Sequence, residues 1–231
     1  MKVAVMNFSG NVGKSTVSRQ LLAPRLENAN VIAVESINSD GTESEAIKGK
    51  QFGELTEALA VLDNAVIDIG ASNVEDFIKR MTQYHGSHED FDLFIVPTIP
   101  NAKQQRDTVS TIEALNEIGI PAKKIRVVFN MLDQDDSLEK TFAGIFAYHE
   151  NEKKFTLNTN AVIHLNDIYD RIKETGQSIS DVLNDSTDYK ELLKSETNPD
   201  EKIKLSRRIA TKRLASLVTL ELDSVFKALM K

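Results

Sequence analysis

The stretch Phe8-Ser9-Gly10-Asn11-Val12-Gly13-Lys14-Ser15-Thr16 constrains this chain more than any other. It follows a short apolar run, Val3-Ala4-Val5-Met6, that reads as a buried strand, and it enters Val17 to Leu22, which reads as the first turns of a helix. A strand that breaks into a glycine-containing loop and re-enters a helix turns successive backbone N–H groups inward, with a helix N-terminus behind them. Phosphate oxygens are well held there. In such a loop Lys14 sits on the β- and γ-phosphates, and the Ser15 hydroxyl is offered to a magnesium ion that bridges them. The bland alternative is an ordinary helix start. The strand upstream, the second glycine at Gly10 and the amphipathic run downstream favour the phosphate loop.

The full consensus G-x-x-x-x-G-K-[ST] is not met, because its first glycine would fall at Phe8. The loop instead resembles the deviant form K-G-G-x-G-K-[ST]-[ST] of the ParA/MinD partition ATPases, which also lacks that glycine. Aligned on Gly13-Lys14, Gly10 matches the first loop glycine, Asn11 replaces the second, and Ser9 replaces the signature lysine. Within that superfamily the chain looks most like the StbB-type plasmid stability proteins, over its first 165 residues or so. The resemblance implies a magnesium-dependent ATPase that binds ATP or ADP through Ser9, Gly10, Asn11, Val12, Gly13, Lys14, Ser15 and Thr16. It also implies an ATP-dependent homodimer, a plasmid-encoded DNA-binding partner protein, and service in plasmid stability, partition or positioning.

Downstream, apolar runs alternate with helical spacing. Val31 to Glu35, Ala65 to Gly70, Leu93 to Val96 and Ile125 to Phe129 read as strands, the fourth of the five stopped by Pro97; Ala161 to Ile163 reads as a short sixth. Helices are expected from Lys14 to a kink or end at Pro24, then over Phe52 to Leu62, Val74 to Tyr84, Ala102 to Ile118 and Asp136 to Asn151. The polar segment Ser36 to Gly53 reads as a long mobile loop. This is the pattern of an α/β fold, a doubly wound and mainly parallel sheet with helices on both faces. Everything after Leu165 looks helical, ending in a long segment from Asp200 to Met230. The expectation is one domain over 1–231, with a nucleotide-binding core over 1–165 and a helical extension over 166–231.

In an open α/β sheet ligands bind beyond the carboxyl ends of the strands. Those ends bring Glu35, Asp68, Pro97-Thr98 and Asn130 to Lys14 and Ser15. Asp68, after Ala65-Val66-Ile67, fits the carboxylate that positions magnesium beside Ser15; the alternative is an acid that merely ends a strand. Gly70-Ala71-Ser72 fits a segment that senses the γ-phosphate. In the resembling family the second strand ends in Asp-x-Asp, whose acids orient water and magnesium. Here Glu35-Ser36-Ile37 keeps only the first, so Glu35 is the catalytic candidate and Asp40 its substitute, against a structural carboxylate.

The family also uses an asparagine after the fifth strand on the adenine edge, which implies that role for Asn130; a plain turn residue is the alternative. The Asn-Lys-x-Asp guanine pattern is missing, so adenine is favoured over guanine. The signature lysine acts across the dimer, and a cation of that kind is worth about 10³–10⁵ in rate. Ser9 supplies no charge, which implies slow hydrolysis or a cation from elsewhere. A switch without hydrolysis, and a biosynthetic enzyme of the dethiobiotin synthetase kind, are the rival readings.

Composition narrows the rest. At 231 residues without a cysteine, the chain has no disulfide, thiolate metal site or cysteine nucleophile. His85 and His88 lie in a polar connection without further ligand-like neighbours, so a solvated loop is expected there. No stretch approaches membrane-spanning length and the apolar N-terminal run is too short for a signal peptide, so a cytoplasmic protein is expected. A net charge of −7 argues against a DNA-coating surface. It leaves room for a local basic cluster at Lys202, Lys204, Arg207, Arg208, Lys212 and Arg213, either a polyanion contact or the solvated face of a packed helix. For the last turns, Leu222, Val225, Phe226 and Leu229, packing or dimerisation is expected in preference to membrane binding.

Overall fold

A computed structural model describes residues 1–34 and 49–231 of the chain. Glu35 and Asp40 lie outside the described residues. What is described divides into two compact units, 1–165 with 225–231, and 166–224.

In the first unit, strands β1 (Lys2–Val5), β2 (Asn30–Val34), β3 (Ala65–Ile69), β4 (Leu93–Thr98), β5 (Ile125–Leu132) and β6 (Val162–His164) form one sheet in the order β2-β3-β1-β4-β5-β6. Every pairing is parallel. The chain leaves β1 for the β2 edge, returns through β3, then crosses to β4 and the far edge. The winding therefore reverses at β1, and the crevice of a doubly wound sheet opens beyond its carboxyl end. Register places Val5 beside both Asp68 and Ile95, so the acid of β3 sits level with the end of β1.

Alternate strand residues point to opposite faces. One set, including Ala4, Met6, Ile67, Ile69, Phe94, Val96, Val127 and Phe129, is buried in a single apolar cluster. Helices α2 (Gly49–Val61), α3 (Val74–Gln83), α4 (Ala102–Glu117) and α6 (Ala143–Glu152), which follows the short α5 (Leu138–Thr141), complete that cluster. Aromatic rings run through it: Phe52 lies 5.3 Å from Phe77, Phe77 lies 6.1 Å from Phe91, and Phe91 lies 5.3 Å from Phe94. The other set includes Val5, Asp68 and Ile95, and the helical run opening with α1 (Lys14–Thr16) packs against β3 there.

That run does not stay α. Val17–Leu22 is a wider π turn, and Ala23–Arg25 a tight 3-10 turn carrying Pro24. Pro24 has no N–H to give to the turn before it. The Arg25 guanidinium donates instead to the carbonyls of Gln20 (2.9 Å) and Leu21 (3.0 Å), covering acceptors that the break leaves over.

Two expectations about strand ends need correcting. Pro97 lies inside β4, paired with Val128. Ile95 O accepts from Met6 N, so the backbone of Pro97, two residues on, faces the β1 side, where β1 has already left the sheet and no ladder donor is lost. Asn130 likewise lies within β5, which continues to Leu132 through a bulge at Met131, a non-glycine residue with φ +57°. The helix expected from Phe52 begins at Gly49, inside the segment read as loop.

The second unit holds α7 (Ile168–Thr175), α8 (Ile179–Asn184), α9 (Tyr189–Ser195) and most of α10 (Pro199–Leu229). Ser178 and Asp181 form a capping box at the start of α8, and Asp188 caps α9. Three members of the basic cluster are engaged within this unit: Lys204 pairs with Glu201 (2.6 Å), Arg208 donates to Gln177 (2.6 Å), and Lys212 donates to Asp185 O. The last turns of α10 belong to the first unit, where Val225 and Leu229 are buried. Asn158 donates to Ala228 O (2.8 Å) and Arg126 donates to Leu229 O, satisfying carbonyls that a helix end leaves open.

Phe77 links the α2 and β4 ends of the ring series and is fully buried. Phe77→Ala is expected to cost about 3–5 kcal/mol, read in urea unfolding as a lower midpoint at an unchanged m-value.

Candidate functional site

Asn7 stands where β1 becomes the loop, and its side chain is wholly buried. Its Oδ1 accepts from Ser9 N (2.7 Å), closing an Asx turn that starts the loop. Its Nδ2 donates to Pro97 O (2.9 Å) and to Thr108 Oγ1 on α4 (2.8 Å). Helix α4 holds the next two residues as well: Phe8 N donates to Thr111 Oγ1 (3.1 Å), and Ser9 Oγ donates to the Asp107 carboxylate. Each threonine spends its one hydroxyl hydrogen on its own helix, Thr108 on Gln104 O (2.8 Å) and Thr111 on Asp107 O (2.7 Å). That leaves hydroxyl lone pairs to meet the loop donors. The polar face Asp107, Thr108, Thr111 thus fixes where the loop begins.

Past Ser9 the backbone adopts the left-handed conformation twice, at Asn11 (φ +58°) and Gly13 (φ +86°). Asparagine is among the few non-glycine residues that tolerate it, which explains how Asn11 replaces a glycine. At Gly13 a side chain is excluded twice over, by φ and by space, since a Cβ would lie 2.1 Å from Asn130 Nδ2. That same nitrogen donates to Val12 O (3.0 Å). Asn130, 2% exposed, therefore buttresses the loop from β5. Gly10 is different: it is exposed, and a Cβ there would meet nothing within 4 Å.

Lys14 opens α1 and is 8% exposed. Its Nζ donates to Ser9 O (2.7 Å) and more distantly to Asn7 O (3.4 Å), curling back over the loop. Burial pushes its pKa below the ordinary lysine value, partly opposed by the charge of Asp68. Asp68 is itself 4% exposed. Ser15 is exposed and Thr16 half-buried in the same first helical turn.

The structure thus gathers Ser9 to Thr16, Asp68 and Asn130 at the carboxyl end of β1. Thr98 is not among them. Asp68, Val5 and Ile95 share one face, and Thr98, three residues beyond Ile95, points to the other; it is fully buried with its hydroxyl unpartnered. Glu35 and Asp40 lie outside the described residues, so neither is placed. Gly70 takes N–H contact with Val34 O (2.9 Å), and Ala71–Asn73 form a 3-10 turn behind Asp68.

Sequence reasoning passed over Asn7, Asp107, Thr108 and Thr111. Asn-x-Ser straight after an apolar strand is an Asx-turn signal, and the spacing of Asp107, Thr108 and Thr111 puts three polar side chains on one helix face.

The arrangement offers a buried cation, a loop with two left-handed residues that enters a helix, and a nearby carboxylate, a combination that suits a polyphosphate. In the ligand-free protein, Gly13→Ala is expected to cost at least roughly 1–2 kcal/mol from the left-handed backbone alone, while Gly10→Ala stays within about 0.5 kcal/mol. Thermal unfolding of both variants measures the contrast; equal effects would show that the loop shape described here is not the one adopted.

No protein-family model matches the chain, and no curated protein matches it. Solved structures do match. The MinD cell division protein of Aquifex aeolicus has a TM-score of 0.52 at 13% identity, over 86% of this chain and 98% of its own. Apo McdA of Cyanothece has a TM-score of 0.51 at 15% identity, over 78% of this chain and 92% of its own. The chain shares the fold of both.

Proposed function

We propose that this chain binds ATP or ADP with magnesium on the loop from Ser9 to Thr16 and hydrolyses ATP slowly, as a ParA/MinD-like ATPase. The observation that carries this reading is Lys14. A largely buried ammonium that donates only to backbone carbonyls, with the Asp68 charge nearby, is costly to keep unless a further anion completes it. It stands where the winding of the sheet reverses, above a loop whose glycine at position 10 leaves space for a ligand. The deviant loop sequence and the fold shared with MinD point the same way.

Lys14 and the loop N–H groups neutralise the β- and γ-phosphates. Ser15 and Asp68 would hold a magnesium ion, which would supply further neutralisation of those oxygens. Among the described residues no cluster of three or more His, Asp or Glu side chains forms a metal cage. Magnesium keeps waters and takes phosphate oxygens, so two protein oxygens are enough to seat it. Glu35 or Asp40 orients the attacking water. Asn130 reads the adenine edge while bracing Val12. Working as an ATP-dependent homodimer with a plasmid-encoded DNA-binding partner protein, the ATPase serves plasmid stability, partition or positioning in the cytoplasm.

A second reading, a nucleotide-gated switch with negligible hydrolysis, is favoured by Ser9. Its neutral side chain is 2% exposed and already committed to Asp107, so it brings no charge to a neighbouring molecule.

Calorimetry with magnesium present should find one ATP or ADP bound per chain. Lys14→Met should lose at least tenfold in affinity, with its circular dichroism showing the fold retained, so that the loss is one of binding. Absence of binding by the wild-type chain, or unchanged binding by Lys14→Met, would overturn the proposal.

A further inference from the structure

We propose that Lys103 is the terminal-phosphate ligand of this loop, supplied by the same chain and parked on Asp107 until a nucleoside triphosphate arrives; this rests on the nucleotide-binding reading above. Phosphoryl-transfer sites commonly add a second cation to the loop lysine, in cis or from a partner. Ser9 provides none. Next to it, however, a cation is held in reserve. Lys103 Nζ lies 2.9 Å from Asp107 Oδ2, and that same carboxylate oxygen accepts from Ser9 Oγ. Ser9 O in turn accepts from Lys14 Nζ at 2.7 Å. Lys103 is thus joined to the loop lysine through Asp107 and Ser9 alone.

The parts of this chain differ in how firmly they are held. The backbone of Lys103 is fixed, because its N–H is capped by Asn101 Oδ1 (2.9 Å) at the start of α4. Its side chain is 70% exposed and that of Asp107 28% exposed. A solvent-facing i,i+4 pair of this kind contributes little stability, so a triphosphate with its higher charge density takes the ammonium from the carboxylate at small cost. Asp107 is not stranded when this happens: it keeps the Ser9 hydroxyl, and Arg106 stands close enough to help hold its pKa below the ordinary carboxylate value. A nucleoside diphosphate does not reach Lys103, so the residue makes the site distinguish ATP from ADP.

The test compares the full-length wild type with Lys103→Ala, Lys103→Arg and Asp107→Asn in calorimetry, using magnesium with ADP and with the slowly hydrolysed analogue ATPγS. Lys103→Ala should weaken ATPγS about 10–100-fold and leave ADP within about twofold; Lys103→Arg should restore most of the loss. Asp107→Asn, which removes the competing carboxylate, should strengthen ATPγS relative to ADP. If Lys103→Ala moves both nucleotides together, or neither, in a protein whose wild type binds both, this inference fails and the nucleotide-binding reading stands. A wild type that binds neither overturns both.

Discussion

The buried amide of Asn7 is the contact on which the rest of the site depends. One side chain joins the end of β1, the carbonyl of Pro97 in β4 and a hydroxyl of α4, while folding its own oxygen back on Ser9 N. A loop leaving a sheet exposes backbone groups that must be paired or solvated. Here they are paired by side chains from an element far away in sequence, so the loop's entry is set by the packing of α4 and not by the loop's own preferences. Everything past Ser9, including the two left-handed residues and the inward curl of Lys14, starts from that anchored point.

The fold was legible because period and punctuation agree with it. β-branched runs gave the parallel strands, and the helical spacings between them gave the covering layer. What could not be read from local sequence was set by neighbours. Pro97 sits within β4 because the strand beside it has already turned away. Asn130 sits within β5 because a bulge at Met131 carries that strand past the expected end. The widening of the first helix before Pro24, and the use of the Arg25 guanidinium to cover Gln20 and Leu21, likewise follow from a proline whose effect the sequence announces but whose repair it does not.

Of the site, the loop itself was the legible part, since Gly13, Lys14 and Ser15 are defined by one short stretch. Its supports were not, because Asp107, Thr108, Thr111 and Asn130 approach from more than ninety residues away. The replacement of two motif residues now has separate physical accounts. Asn11 keeps the left-handed backbone that its position needs. Ser9, where the resembling loop has a lysine, ties the loop to α4 through Asp107, the carboxylate that also pairs with Lys103.

If residues Phe8 to Thr16 are a pre-shaped receptor for a polyphosphate, hydrogen–deuterium exchange of the peptide covering this loop and the turn after it will report the ligand's arrival. Adding ATP with magnesium should slow exchange there, with little change in the peptides covering β5 and β6, whose amides the sheet already protects. Exchange in the loop peptide that is the same with and without nucleotide, at concentrations up to the millimolar range, would contradict the account.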